Sequence, residues 1–347
     1  MKSDRISIAS TARALRVVLV MTTLTVAHSS AADLPAKAPA PVADAPFFLV
    51  NDNRLTYSYQ FTATDPGFPG TTAKQVFAFT HFDIWAYGTN FINLELLKSS
   101  QSDPANPCLA QNQGCAGATE FYGLFRSTFG FNEVFNTRAF TFGPLHNVSF
   151  EIGADVNTEN TFLAPSKRAI VAGLQFGFDL PYKGYFNVAP LYYQEWNHNS
   201  FLTPGFTAPY PGIVDGNTRF NGTWAVEINY YMALGFLPET LRYFALSGRA
   251  GFYGPKGTGA AAGVVSPANN AKTEINSEPI RLTFDASKLI WGPKYTHFVD
   301  VWVAYRYWQN KFGLDDNNPA NSTCFTAGVN NHSCTERSLS TGVSVKF

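Results

Sequence analysis

Around residue 198 the chain reads EWNHNSF, with His198 and Ser200 two positions apart. On an extended strand that spacing puts both side chains on one face, where an imidazole can take a hydroxyl proton and create a nucleophile for acyl transfer. Such a pair needs a third group to orient the imidazole, and no clear orienting Asn follows at the expected later position. An H-x-S pair at a strand end also arises easily by chance, which leaves polar rim residues as the plainer reading. A larger set lies further on. The segment HFVDVWVAYRYWQNKF, residues 297–312, carries Asp300, Arg306 and Asn310 through a run too aromatic for an exposed strand and too polar for a membrane helix. Indoles and phenols can stack on a planar solute while carboxylates and guanidinium groups bond its polar edges.

What must position these groups follows from composition. Aromatic residues make up 15% of the 347 and charged residues only 14%, against about 25% charged in ordinary soluble domains. Formal net charge is zero and no Lys or Arg run appears, so nothing tracks a phosphate backbone and nucleic acid is not an expected partner. Lys2, Arg5, Arg13 and Arg16 precede the apolar VVLVMTTLTVA and the small-residue stretch SSAAD, the layout of a secretory signal ending after Ala32. No Cys follows it to carry a lipid. No later apolar run is long enough for a membrane helix, so a membrane location implies strands.

The four cysteines form two local pairs, Cys108 with Cys115 and Cys324 with Cys334, each in a loop-like segment. In an exported protein these predict two small disulfide-closed loops, each stabilising by about 2–3 kcal/mol. The spacings are not CxxC, and His332 has no counterpart at the first pair, so no metal site is expected.

Residues 33–46, DLPAKAPAPVADAP, read as a Pro/Ala linker, and 47–347 as one domain. From there, runs with a period near two predict twelve strands: 53–64, 74–87, 90–99, 119–131, 147–158, 168–180, 185–199, 222–236, 243–256, 274–290, 297–314 and 336–347. Connections after odd runs are mostly long and polar. Those after even runs are mostly short, with 132–146 the exception. An even strand count with long loops at one end and short turns at the other predicts an all-β transmembrane antiparallel barrel of about twelve strands. A soluble β-sandwich also alternates, but it does not require this separation of connections. Closure leaves no unpaired backbone in lipid.

Placing the apolar parity outward assigns candidate lumen residues: His81, Asp83 and Trp85 in the second run, Glu151 and Asp155 in the fifth, Gln175 and Asp179 in the sixth, Glu227 and Tyr231 in the eighth, Arg249 in the ninth, Arg281 and Asp285 in the tenth, and Asp300, Arg306, Trp308 and Asn310 in the eleventh. A register error of one residue would exchange the faces. These side chains suit either a salt-bridge network filling a narrow barrel or a narrow channel for a planar solute.

The twelve strands, the segments FTHFDIWAYGTNF and FDLPYKGYFNVAPLYYQEWN, and the final VSVKF resemble the Tsx-type nucleoside channels of Gram-negative outer membranes. The ADLPAKAPAP junction resembles those of alphaproteobacterial outer-membrane proteins. The resemblance implies diffusion of nucleosides across the outer membrane without cofactor, metal or covalent chemistry. It also implies lipid and lipopolysaccharide as surroundings, and assembly machinery that reads a last strand ending in Phe347. Two other classes compete: a non-transport structural or surface barrel, and an outer-membrane phospholipase using His198 and Ser200.

Overall fold

The computed structural model describes residues 46–105, 117–160, 166–198, 217–257, 272–319, 321 and 323–347. The signal, most of the linker, Cys108, Cys115 and Ser200 lie outside them. The strands are β1 (Phe48–Asp65), β2 (Phe68–Trp85), β3 (Gly88–Ser99), β4 (Thr119–Gly130), β5 (Leu145–Glu159), β6 (Ser166–Leu180), β7 (Gly184–His198), β8 (Asn217–Arg219), β9 (Thr223–Ala233), β10 (Phe244–Tyr253), β11 (Glu274–Asp285), β12 (Val299–Gln309), β13 (Phe325–Thr326), β14 (Val329–Asn330) and β15 (Glu336–Lys346). All except β8, β13 and β14 form a single antiparallel ring, so the barrel has twelve staves. The ring closes between the first and last staves, with Arg54 opposite Lys346 and Gln60 opposite Ser340.

Alternation decides which face each residue takes. On β1, Leu55, Tyr57, Tyr59 and Phe61 are exposed while Ser58 and Gln60 are buried; on β15, Leu339, Val343 and Val345 are exposed while Ser338 and Ser344 are buried. Exposed apolar against buried polar is the reverse of a soluble protein. It is what a wall between hydrocarbon and a polar lumen requires. No helix among the described residues is long and apolar enough to cross a membrane.

Loop asymmetry holds with two departures. β1 and β2 have 18 residues each and meet at the two-residue turn Pro66–Gly67 on the long-loop side, where Gly67 adopts φ 86°. At about 3.3 Å per residue such strands reach about 60 Å, well past about 30 Å of hydrocarbon. On the short-turn side, 131–144 is long and includes the helix Phe131–Val134. The tenth run ends early, because Asp285 caps the helix Ala286–Trp291 by accepting a hydrogen bond from the Lys288 backbone. The stave of the 297–312 segment is Val299–Gln309, closed off by Asn310 at φ 51°.

Among the described residues, two hydrophobic clusters are buried. Ala169, Val171, Ala189, Leu191, Tyr193, Ala225 and Tyr253 line the inner wall of β6, β7, β9 and β10. At the long-loop end, Phe220, Phe312 and Leu314 pack on the Cys324–Cys334 disulfide, with Phe68, Trp308 and Phe325 against them. The Cys324–Cys334 bridge is the pairing that the sequence predicts, and the loop it closes holds the β13–β14 hairpin, which the predicted strands do not include.

Candidate solute path

The lumen is organised by a residue that alternation alone does not single out. Arg126 on β4 donates through Nη1 and Nη2 to both oxygens of Asp155 at 3.1 Å. The same guanidinium reaches Glu227 on β9, with Nε at 2.9 Å and Nη2 at 2.6 Å, and Glu151 stands 3.8 Å away. Strands that are not neighbours in the ring are thus tied across the interior. Gln175 donates to Glu151 and the Tyr253 hydroxyl to Glu227. Glu151, Asp155, Glu227 and Gln175 take the inward places that the sequence assigns; Asp179 lies at the rim, 71% exposed beside His146.

Beside this centre, Tyr193, Asn197 and Lys256 all bond Glu195, and Lys167 lies over the rings of Tyr193 and Tyr253. Towards the long loops, Lys74 pairs with Asp65 and Glu120. Glu336 accepts from Gln60 and Lys311, and Arg306 Nε stands 2.9 Å from it as an ion pair without a hydrogen bond. Trp308 points inward, donates Nε1 to Glu274 at 2.8 Å and meets Phe312 edge-on at 5.2 Å. One turn of chain beyond β12 therefore lies against the predicted aromatic platform. Asn310 donates to the Thr273 carbonyl.

At the short-turn end, Asp300 accepts from Arg54 at 2.7 Å and faces His297 at 2.9 Å, while the other His297 nitrogen is 3.2 Å from the Tyr231 hydroxyl. Arg281 pairs with Glu278 and covers the Trp302 ring at 4.0 Å. Asp285, assigned to the solute site by the sequence, serves as the helix cap and accepts from Ser287 and the His297 backbone as well. Among the described residues, two donor groups have the compactness of a metal site, Asp285–His297–Asp300 and Asp65–Glu120–Glu159. A cation of the chain already serves each of them, Arg54 at Asp300 and Lys74 between Asp65 and Glu120.

One assignment is corrected. His81, Asp83 and Trp85 face outward: His81 is paired with Asn53 and Asp83 with Asn51, on the parity of exposed Leu55 and Tyr57. Polarity misassigns them because β2 carries Phe77 and Phe79 and then, on the same face nearer the short-turn end, turns polar. The groups satisfy one another in a ladder. Asn53 faces His81 at 2.8 Å, His81 faces Asp83 at 2.9 Å, Asn90 donates to Asp83 at 3.0 Å, and Ser127 donates to Asn90 at 2.7 Å. Phe47 stacks on Trp85 beside them.

The His198 side chain and Ser200 lie outside the described residues, so their pairing has no structural counterpart. No family model matches the chain, and no curated protein matches it. Among solved structures it is similar to the Salmonella typhi outer membrane phospholipase dimer with bound calcium, at 10% identity over 85% of this chain and 90% of that one, TM-score 0.39. Others are the translocator domain of the autotransporter NalP from Neisseria meningitidis, 11%, 86% and 87%, TM-score 0.36, and the outer membrane protein OprD from Pseudomonas aeruginosa, 9%, 87% and 94%, TM-score 0.32.

Proposed function

We propose that the chain is an outer-membrane channel through which small solutes, nucleosides in particular, diffuse along the barrel interior. The observation that carries this reading is the inward wall itself, where Trp302, Trp308, Tyr231 and Tyr253 alternate with carboxylates and guanidinium groups. Ring faces can take up a nucleobase while the charged groups bond its edges and the ribose hydroxyls. Diffusion of this kind uses no covalent step. Export through the periplasm, insertion among lipid and lipopolysaccharide, and delivery to assembly machinery through β15 and Phe347 belong to the same proposal.

The dense ion pairing around Arg126 and the packing of Phe312 on Trp308 favour a second reading, a structural or surface barrel with a filled lumen. Liposome swelling separates the two. Vesicles holding the purified barrel are expected to swell faster in nucleosides than in sugars or amino acids of similar size. Swelling no faster than in empty vesicles would refute the channel.

A further inference from the structure

Arg249 stands apart from the other bases of the lumen. Arg54, Lys74, Arg126, Arg281, Arg306 and Lys311 each have a carboxylate within 4.0 Å. Lys167, which lacks one, rests over two tyrosine rings. Among the described residues, Arg249 makes neither a hydrogen bond nor an ion pair. Its inward direction follows from its pairing with Asn229, itself bonded inside the barrel to Asn187. The residue keeps intermediate exposure.

The wall is irregular at this point. The β10–β11 register slips between Ser247 and Arg249, and the β11–β12 register slips between Ser277 and Ile280. Pro279 lies inside that bulge with no N–H to give the ladder, and its carbonyl accepts from the Tyr230 hydroxyl. Bulges of this kind re-aim a side chain and are common beside binding sites.

A guanidinium group in a confined interior is ordinarily paired, and one that is not has donors free for a ligand. Its fork presents parallel N–H groups that match two coplanar acceptors. The groups that act on it electrostatically include Tyr122, Glu278, Glu95 and Tyr253. Glu278 stands opposite Arg249 in the β10–β11 ladder, with its carboxylate held by Arg281; together with Glu95 it offsets the charge of Arg249, which disfavours an anionic solute and favours a neutral acceptor edge.

We propose that Arg249 is the residue that selects the solute, binding the O6/N7 edge of a neutral purine nucleoside such as guanosine or inosine. This rests on the nucleoside-channel reading. Adenosine presents an N6 donor in place of O6 and meets the fork donor to donor.

The test is block of single-barrel current in a planar bilayer by guanosine, inosine, adenosine and cytidine, with each protein compared only with itself. Wild type is expected to be half-blocked by guanosine and inosine at concentrations on the order of tenfold below adenosine. R249K, which keeps donors, should retain part of that ratio. R249Q, whose amide suits an N6/N7 edge, should bring the ratio to one or reverse it. Equal block by all four nucleosides, a ratio unchanged in R249Q, or stronger block by a carboxylate-bearing solute would overturn the selectivity of Arg249 and leave the channel standing. Absence of current, or current that no nucleoside blocks, would overturn the channel reading and this inference with it. If R249Q does not assemble, wild type and R249K still decide.

Discussion

Replacing Arg126 with leucine tests whether the interior is held by its cross-lumen ties. The side chain is 9% exposed and its partners Asp155 and Glu151 are 3% exposed. The change removes four hydrogen bonds of 2.6–3.1 Å to Asp155 and Glu227 and leaves three carboxylates without their shared counter-charge. Removing one partner of a buried ion pair costs about 3–5 kcal/mol, because the other partner stays desolvated and alone. In domains of 150–250 residues each kcal/mol moves the midpoint by about 2–4 °C, so a fall of about 10 °C is the expected scale. The assay is heat-modifiable mobility of the purified barrel in detergent. Conductance should rise in parallel, since the bar between β4 and β9 is gone and the freed carboxylates attract cations. R126L combined with Glu227→Gln should cost less than the two single changes added together, because the partners are coupled. A midpoint within 1–2 °C of wild type, together with unchanged conductance, would refute this account of the lumen.

The other tests address the mouth, the two faces and the aromatic platform. Removing the Cys324–Cys334 bridge by C324S/C334S should cost about 2–3 kcal/mol and raise conductance by loosening the cluster around Phe312 and Leu314; unchanged conductance would mean that residues 310–335 do not restrict the mouth. His81→Ala and Asp83→Asn should lower the melting midpoint and leave nucleoside block unaltered, because both face outward; altered block would return them to the lumen. Trp308→Ala should weaken nucleoside block severalfold, whereas Val303→Ala, on the lipid face, should leave it within the error of titration.

The architecture was legible because closure in lipid imposes simple rules. Exposed Phe150, Ile152 and Val156 against buried Glu151 and Asp155 follow from alternation, as do the opposed faces of the 297–312 segment. The rules fail where their premise does. Polarity marks the inner face only while a strand crosses hydrocarbon, and His81 and Asp83 stand on an outward face that has become polar. The Asp285 cap was hidden because ASKLIW continues an apolar run. Arg126 shares the parity of Tyr122 and Glu120, but its partner Glu227 lies 101 positions away, a distance that no local pattern encodes. For the same reason Arg249 looked like any other lumen residue until its neighbours proved to be paired and it did not.

The central claim is that solutes pass through this interior and that nucleosides bind along the way. Single-barrel recordings in planar bilayers, with nucleoside titrated from one side, test it most directly. The account predicts a small conductance that falls saturably as nucleoside is added and recovers on washout, while an equal concentration of sugar leaves it unchanged. No conductance from correctly folded barrels, or a current indifferent to nucleosides, would contradict it.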